Sequence, residues 1–147
     1  MTTRWLLLTV ISILVASACL PIGPNSEVAP VDYTLHVANG TRLALSIVVN
    51  GQPVALAAAK DSKDIPVAAL PALPWTVEAR SVSGRVVLAF TVEPGSIVDD
   101  RNADGSRTHR APGARADLSC GRLDMYPGST PMLGPAPGPG VAGDCEP

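Results

Sequence analysis

From Val31 onward, apolar and polar residues alternate along the chain. Tyr33, Leu35 and Val37 share one face, with Thr34, His36 and Ala38 on the other. Leu43, Leu45, Ile47 and Val49 then oppose Ala44, Ser46 and Val48, and the rhythm resumes at Val54 and Leu56. A period of two sets one face of a strand against a core. Asn39-Gly40 and Asn50-Gly51 interrupt the runs, and Asn-Gly is a strong hairpin signal because both residues tolerate positive φ. These stretches predict a three-stranded meander.

A second hairpin is predicted further on. Residues 75–80 alternate, residues 81–84 supply a turn, and Val86, Leu88, Phe90 and Val92 return on one face before Pro94-Gly95 ends the run. A weaker third pair sets Ala114, Ala116 and Leu118 against Leu123 and Met125. Between the first two groups, residues 55–60 suit one helical turn, and Pro66, Pro71 and Pro74 bar a long helix. Ile65 and Val67 could instead mark a short edge strand. About seven short strands with turn signals every 8–12 residues predict an all-β fold, a small immunoglobulin-like or related β-sandwich, with a small barrel as the alternative. Trp75 and Phe90 are the largest members of an otherwise aliphatic core.

Composition narrows the picture. The chain has 147 residues, enough for one ordinary domain. A formal charge of −2 and only 3% aromatic residues leave neither a basic surface for phosphates nor rings for stacking bases, so nucleic acid is excluded as a partner. The 13 Gly and 15 Pro concentrate towards the ends and mark irregular structure there. Residues 127–147 form a Pro/Gly-rich tail whose composition alone cannot build a core.

The N-terminus carries a different signal. Arg4 gives a basic start, residues 5–15 are free of charge, and Ala16-Ser17-Ala18-Cys19 follows. A basic start, a short apolar stretch and a small-x-small site describe a secretory signal peptide over residues 1–18, too short to span a bilayer. Val15-Ala16-Ser17-Ala18-Cys19 resembles the lipobox of bacterial lipoproteins, which implies a lipidated Cys19 and a membrane anchor. The resemblance covers residues 1–19 only. It departs from the pattern at Ala16, where Leu is usual, and Ala16-Ser17-Ala18 equally suits cleavage to a soluble secreted protein.

Cysteine arithmetic bears on that choice. Of the three cysteines, a lipidated Cys19 leaves Cys120 and Cys145 as an even pair, suited to a disulfide in an oxidising compartment. Such a bridge would pin the tail. Residues 19–31 then form a Pro-rich linker reaching at most ~35 Å, so the β-sandwich domain of residues 32–126 would sit close to the membrane.

Candidate chemistry is sparse. Asp100, Asn102 and Asp104, followed by Gly105, match the opening D-x-N-x-D-G of a calcium loop, whose alternate oxygen ligands wrap one ion. The twelfth position holds Ala111 rather than a bidentate Glu, which leaves a weak calcium candidate beside the plain reading of a solvated Asp-Gly turn. His36 reads as an exposed strand residue and His109 as a loop residue, with no zinc-ligand spacing around either. No nucleophile motif is present. The expectation is a non-enzymatic structural or binding module of the cell envelope, anchored at Cys19, with an envelope protein as candidate partner. A calcium-dependent binding module and a secreted hydrolase built on His36 or His109 stand as alternatives.

Overall fold

The computed structural model describes residues 33–128, 130–134 and 137–146. The lipobox-like segment, Cys19 and the linker lie outside the described residues. The fold is all-β: two sheets pack face to face as a small β-sandwich. The larger sheet is built on β1 (Leu35–Asn39), β4 (Asp61–Ile65), β8 (Arg107–Leu118), β9 (Gly121–Pro127) and β10 (Thr130–Leu133), in the order β10-β8-β9-β1-β4. A further strand, β7 (Val98–Arg101), pairs with β8. The smaller sheet runs β3 (Gln52–Ala57), β2 (Leu45–Val49), β5 (Trp75–Arg80), β6 (Val86–Val92).

Alternation puts Leu35 and Val37, Leu123 and Met125, Leu45, Ile47 and Val49, and Trp75, Val77 and Ala79 between the sheets, all essentially inaccessible. Trp75 Nε1 donates to the Pro71 carbonyl at 2.7 Å, so its one polar atom is satisfied inside the core. Phe90 is only partly buried and packs on the core from its edge.

The predicted β5–β6 and β8–β9 hairpins are present. So is the β2–β3 hairpin at Asn50-Gly51, where φ is +50° and +79° as a type I′ turn requires. The meander is corrected at its first step. β1 does not pair with β2; it crosses between sheets and lies antiparallel between β4 and β9. Asn39-Gly40 is therefore no hairpin turn. Asn39 is 1% exposed, and its amide donates to the carbonyls of Leu43 and Ala58, both at 2.8 Å, while Oδ1 accepts from the Thr41 hydroxyl at 2.7 Å and its amide at 3.1 Å. This buried side chain folds the crossover, and its hydrogen bonds replace those that water would supply.

The helical turn suited to residues 55–60 is not formed either: β3 runs on to Ala57 and a tight turn leads into β4. The edge strand comprises Asp61–Ile65, and Val67 falls in a short 3-10 turn.

The tail is docked. Cys120 and Cys145 form a disulfide with Cα atoms 6.0 Å apart. Asp144 Oδ1 accepts from the Ser119 hydroxyl at 2.6 Å and its amide at 2.9 Å, and Oδ2 accepts from the Val141 amide at 2.7 Å. Cys145 packs against core residues.

Candidate functional site

The outer face of the larger sheet carries a grid of polar side chains, fixed by strand register. On β1 the outward positions are His36, Ala38 and, just past the strand, Gly40. His36 stands between Asp64 of β4 and Tyr126 of β9. Ala38 stands between Ser62 and Asp124, and Asp124 in turn faces Arg115 of β8. The Gly40 amide donates to the Arg122 carbonyl at 2.7 Å, and Arg122 faces Asp117.

Each row is tied by a cross-strand pair. His36 Nδ1 lies 2.5 Å from Asp64 Oδ1, and since a carboxylate only accepts, Nδ1 carries the proton. The Tyr126 ring stacks on the imidazole with centroids 5.1 Å apart. Arg115 Nε donates to Asp124 at 2.9 Å, and Arg122 Nε donates to Asp117 at 2.6 Å. That hydrogen bond, reinforced by the charge of Asp117, raises the Arg122 guanidinium further above its already high range. Lys60 Nζ donates to the Gly40 carbonyl and, at 3.5 Å, to that of Cys120, joining this face to the disulfide turn.

A groove of about 310 Å³, open to solvent, is lined by Ala38, Asn39, Gly40, Lys60, Asp61, Ser62, Arg122 and Asp124. It exists because the middle strand contributes only a methyl and a glycine where its neighbours carry longer side chains. The volume lies at the small end of ligand pockets.

The predicted site residues lie elsewhere. Asp100, Asn102 and Asp104 sit at the β7–β8 hairpin, where the Asn102 amide donates to the Ser106 carbonyl at 2.9 Å. Asp100 Oδ2 accepts from Arg110 Nε at 2.6 Å. The Asn102 side-chain amide donates to the hydroxyls of Ser106 and Thr108. Asp104 Oδ1 accepts from the Ser106 hydroxyl at 2.6 Å and its amide at 2.9 Å, bonds that hold its carboxyl below the usual range. These oxygens serve the turn rather than converging on a common point. No group of three or more His, Cys, Asp or Glu side chains is placed to hold a metal ion among the described residues.

His36 is half-buried within a cluster rather than lying exposed on its own. His109 Nδ1 lies 3.5 Å from Asp99 Oδ1, and its ring meets Tyr33 edge-on at 5.6 Å. Burial, and then the charge of Asp99, push the Tyr33 phenol up. No serine hydroxyl hydrogen-bonds His36 among the described residues.

Sequence reasoning missed Lys60, Ser62, Arg115, Arg122 and Asp124 as members of one surface. The alternation of Arg122, Asp124 and Tyr126 with buried Leu123 and Met125 was the available signal; which strands flank them was not. Comparisons of the chain with protein-family models, with curated proteins and with solved structures find no match.

Proposed function

We propose that this chain is an exported, lipid-anchored protein of the bacterial cell envelope that acts as a non-enzymatic binding module. Its ligand face is the outer surface of the β4-β1-β9-β8 sheet. The observation that carries the reading is the Cys120–Cys145 disulfide. With that pair joined, Cys19 is the odd one of three cysteines, at the end of a signal-like segment, which is where a lipobox places its acylated thiol. Disulfides persist in oxidising compartments, so the bridge and the signal-like start point the same way.

A binding rather than a catalytic role is supported by how the surface groups are engaged. Asp64 with His36, Arg115 with Asp124 and Arg122 with Asp117 hold one another, which fixes their geometry for contact. A hydrolase would need a nucleophile at hydrogen-bonding distance from its base, and no serine hydroxyl hydrogen-bonds His36 among the described residues.

The test is the intact mass of the protein from the bacterial membrane fraction, before and after reduction and thiol alkylation. A chain beginning at Cys19 with added acyl mass, and two thiols that label only after reduction, is the expected result. An unacylated soluble chain would overturn the anchor and leave a secreted protein.

A further inference from the structure

We propose that the groove over Ala38 and Gly40 is a carbohydrate subsite that takes a neutral sugar ring. The proposal rests on the reading of this face as a binding surface and names its ligand class. Four observations converge on it.

The first is shape. Along β1 the floor is a methyl and a glycine, while Ser62 and Lys60 rise on one side and Asp124 and Arg122 on the other. The resulting trough, about 310 Å³, has room for a sugar ring and its substituents.

The second is charge. Lys60 and Arg122 balance Asp61 and Asp124 in the lining, and Arg122 and Asp124 are already paired to Asp117 and Arg115. Lys60 Nζ is held by the Gly40 and Cys120 carbonyls and Asp61 Oδ1 by the Ser62 amide, so the lining has no net charge to favour an ion of either sign. A neutral ligand loses nothing by this arrangement.

The third is hydrogen-bonding character. The Ser62 hydroxyl has no protein partner among the described residues and can both donate and accept. Around it stand carboxylate acceptors and ammonium and guanidinium donors, held in place by their own partners. Paired donors and acceptors of this kind match vicinal hydroxyls.

The fourth is the neighbouring row. One step along the same face, Tyr126 stacks on His36, which gives a rigid ring pair beside the trough. Aromatic rings offer an amphipathic surface with few rotamers to freeze.

The experiment titrates the full-length protein, purified from membranes in detergent, with maltotriose, cellotriose and N-acetylchitotriose. Trigalacturonate and an end-blocked trialanine serve as the acidic and peptide probes. Backbone amide shifts of Ala38, Gly40 and Ser62 are followed by NMR. Saturable shifts with at least one neutral trisaccharide are expected, weakened about tenfold or more in Ala38→Leu, which fills the floor, and unchanged in Leu56→Ser on the opposite sheet. Ser62→Ala, whose hydroxyl has no structural duty to lose, gives the same direction should Ala38→Leu fail to fold.

Tighter binding of trigalacturonate or trialanine than of every neutral sugar would overturn the neutral-sugar assignment and leave the binding surface standing. No saturable shift with any probe, or undiminished binding in both groove variants, would overturn the site itself. Neither result bears on the acyl mass at Cys19. Co-sedimentation with insoluble cell-wall glycan, compared with the free trisaccharides, tells polymer recognition from recognition of a soluble sugar; either supports the assignment.

Discussion

Arg85 and Asp144 meet across 59 residues of chain: the guanidinium Nη2 donates to the Asp144 carbonyl at 2.6 Å and also to the Glu146 carbonyl at 2.7 Å. The side chain of the same Asp144 turns the other way and holds Ser119. Two strand ends, one before β6 and one after β8, thus grip a single tail segment, and the Cys120–Cys145 bridge locks it. Exposed hydrogen bonds of this kind are individually weak. The tail begins as β10, held in the sheet by its pairing with β8, and the covalent closure supplies most of the hold on the segment beyond it.

Cys145→Ser is therefore expected to cost about 3 kcal/mol, the loop-closure value for a separation of this length. Arg85→Ala is expected to cost under about 1 kcal/mol. Guanidinium unfolding of oxidised protein measures both. If Cys145→Ser unfolds at the wild-type midpoint, the bridge contributes no net stability. Reduced wild type should match the Cys145→Ser variant.

Acid should loosen the tail before it reaches the core. The Ser119 hydroxyl holds Asp144 below the usual carboxylate range; desolvation opposes it, and the Ser119 and Val141 amides and the charge of Arg85 add lesser contributions in the lowering direction. A lowered folded value means the contribution is fully present above the unfolded carboxylate value of about 3.9 and is lost as pH falls through the folded one. Between pH 5 and 7, hydrogen-exchange protection of the Ser119 and Val141 amides should be flat, and it should fall below about pH 4. Asp144→Asn should remove that step. Asp104 titrates in the same direction at the β7–β8 turn, so the variant is needed to assign the change.

Gly121→Ala tests a close backbone approach. Gly121 has φ +137°, and an added Cβ would stand 2.0 Å from the Gly40 carbonyl oxygen. The atoms it would meet are all backbone of Gly40 and Thr41, which cannot yield cheaply. A loss above about 3 kcal/mol is expected, through strain plus displacement of the Gly40 loop. Gly134→Ala, where nothing lies within 4 Å, is the control and should be near neutral.

Calcium should leave the protein unmoved. A ligand that binds only the folded state raises its melting temperature. At about 5 mM calcium, above the range of weak extracellular sites, the shift should stay under about 1 °C, because Asp100 is held by Arg110 and Asp104 by Ser106. A shift of several degrees, abolished in Asp104→Ala, would show that the turn opens to take the ion.

How far the sequence reveals this fold is seen best in its two Asn-Gly pairs. After Leu45, Ile47 and Val49, Asn50 falls on the outward parity and makes a turn, its amide reaching the Pro74 carbonyl at 3.0 Å. After Leu35 and Val37, Asn39 falls on the inward parity, and the same dipeptide becomes a buried hub. Strand parity was written in the sequence; the dipeptide signal overrode it. Local hairpins such as β5–β6 and β8–β9 were legible because their strands are consecutive and their turns short. The β1–β9 pairing was not, since no local pattern names a partner some 90 residues away. Asp61–Ile65 was obscured for another reason. An edge strand tolerates polar residues on both sides, and Lys63, opposite buried Val37, blunts that edge against further pairing.

Asn39 also yields the sharpest prediction for stability. Its amide satisfies the carbonyls of Leu43 and Ala58, and its carbonyl oxygen receives both the amide and the hydroxyl of Thr41. Asn39→Ala strands these groups in a site closed to water, at a cost of about 2–4 kcal/mol. Asn39→Asp keeps the shape but replaces two N–H donors with acceptors that face carbonyl oxygens, and it buries a charge; it should cost more. Thr41→Ala removes one donor to Asn39 and the acceptor of the Leu43 amide, and should fall below both. Thermal unfolding should rank the melting temperatures Thr41→Ala, then Asn39→Ala, then Asn39→Asp, from highest to lowest. Raising the pH from 5 to 8 should widen the deficit of Asn39→Asp alone, because burial lifts its carboxyl above the usual range and ionisation then opposes folding. Equal losses for Asp and Ala at all pH values would mean that water reaches the crossover and that Asn39 is not the hub that turns β1 from one sheet to the other.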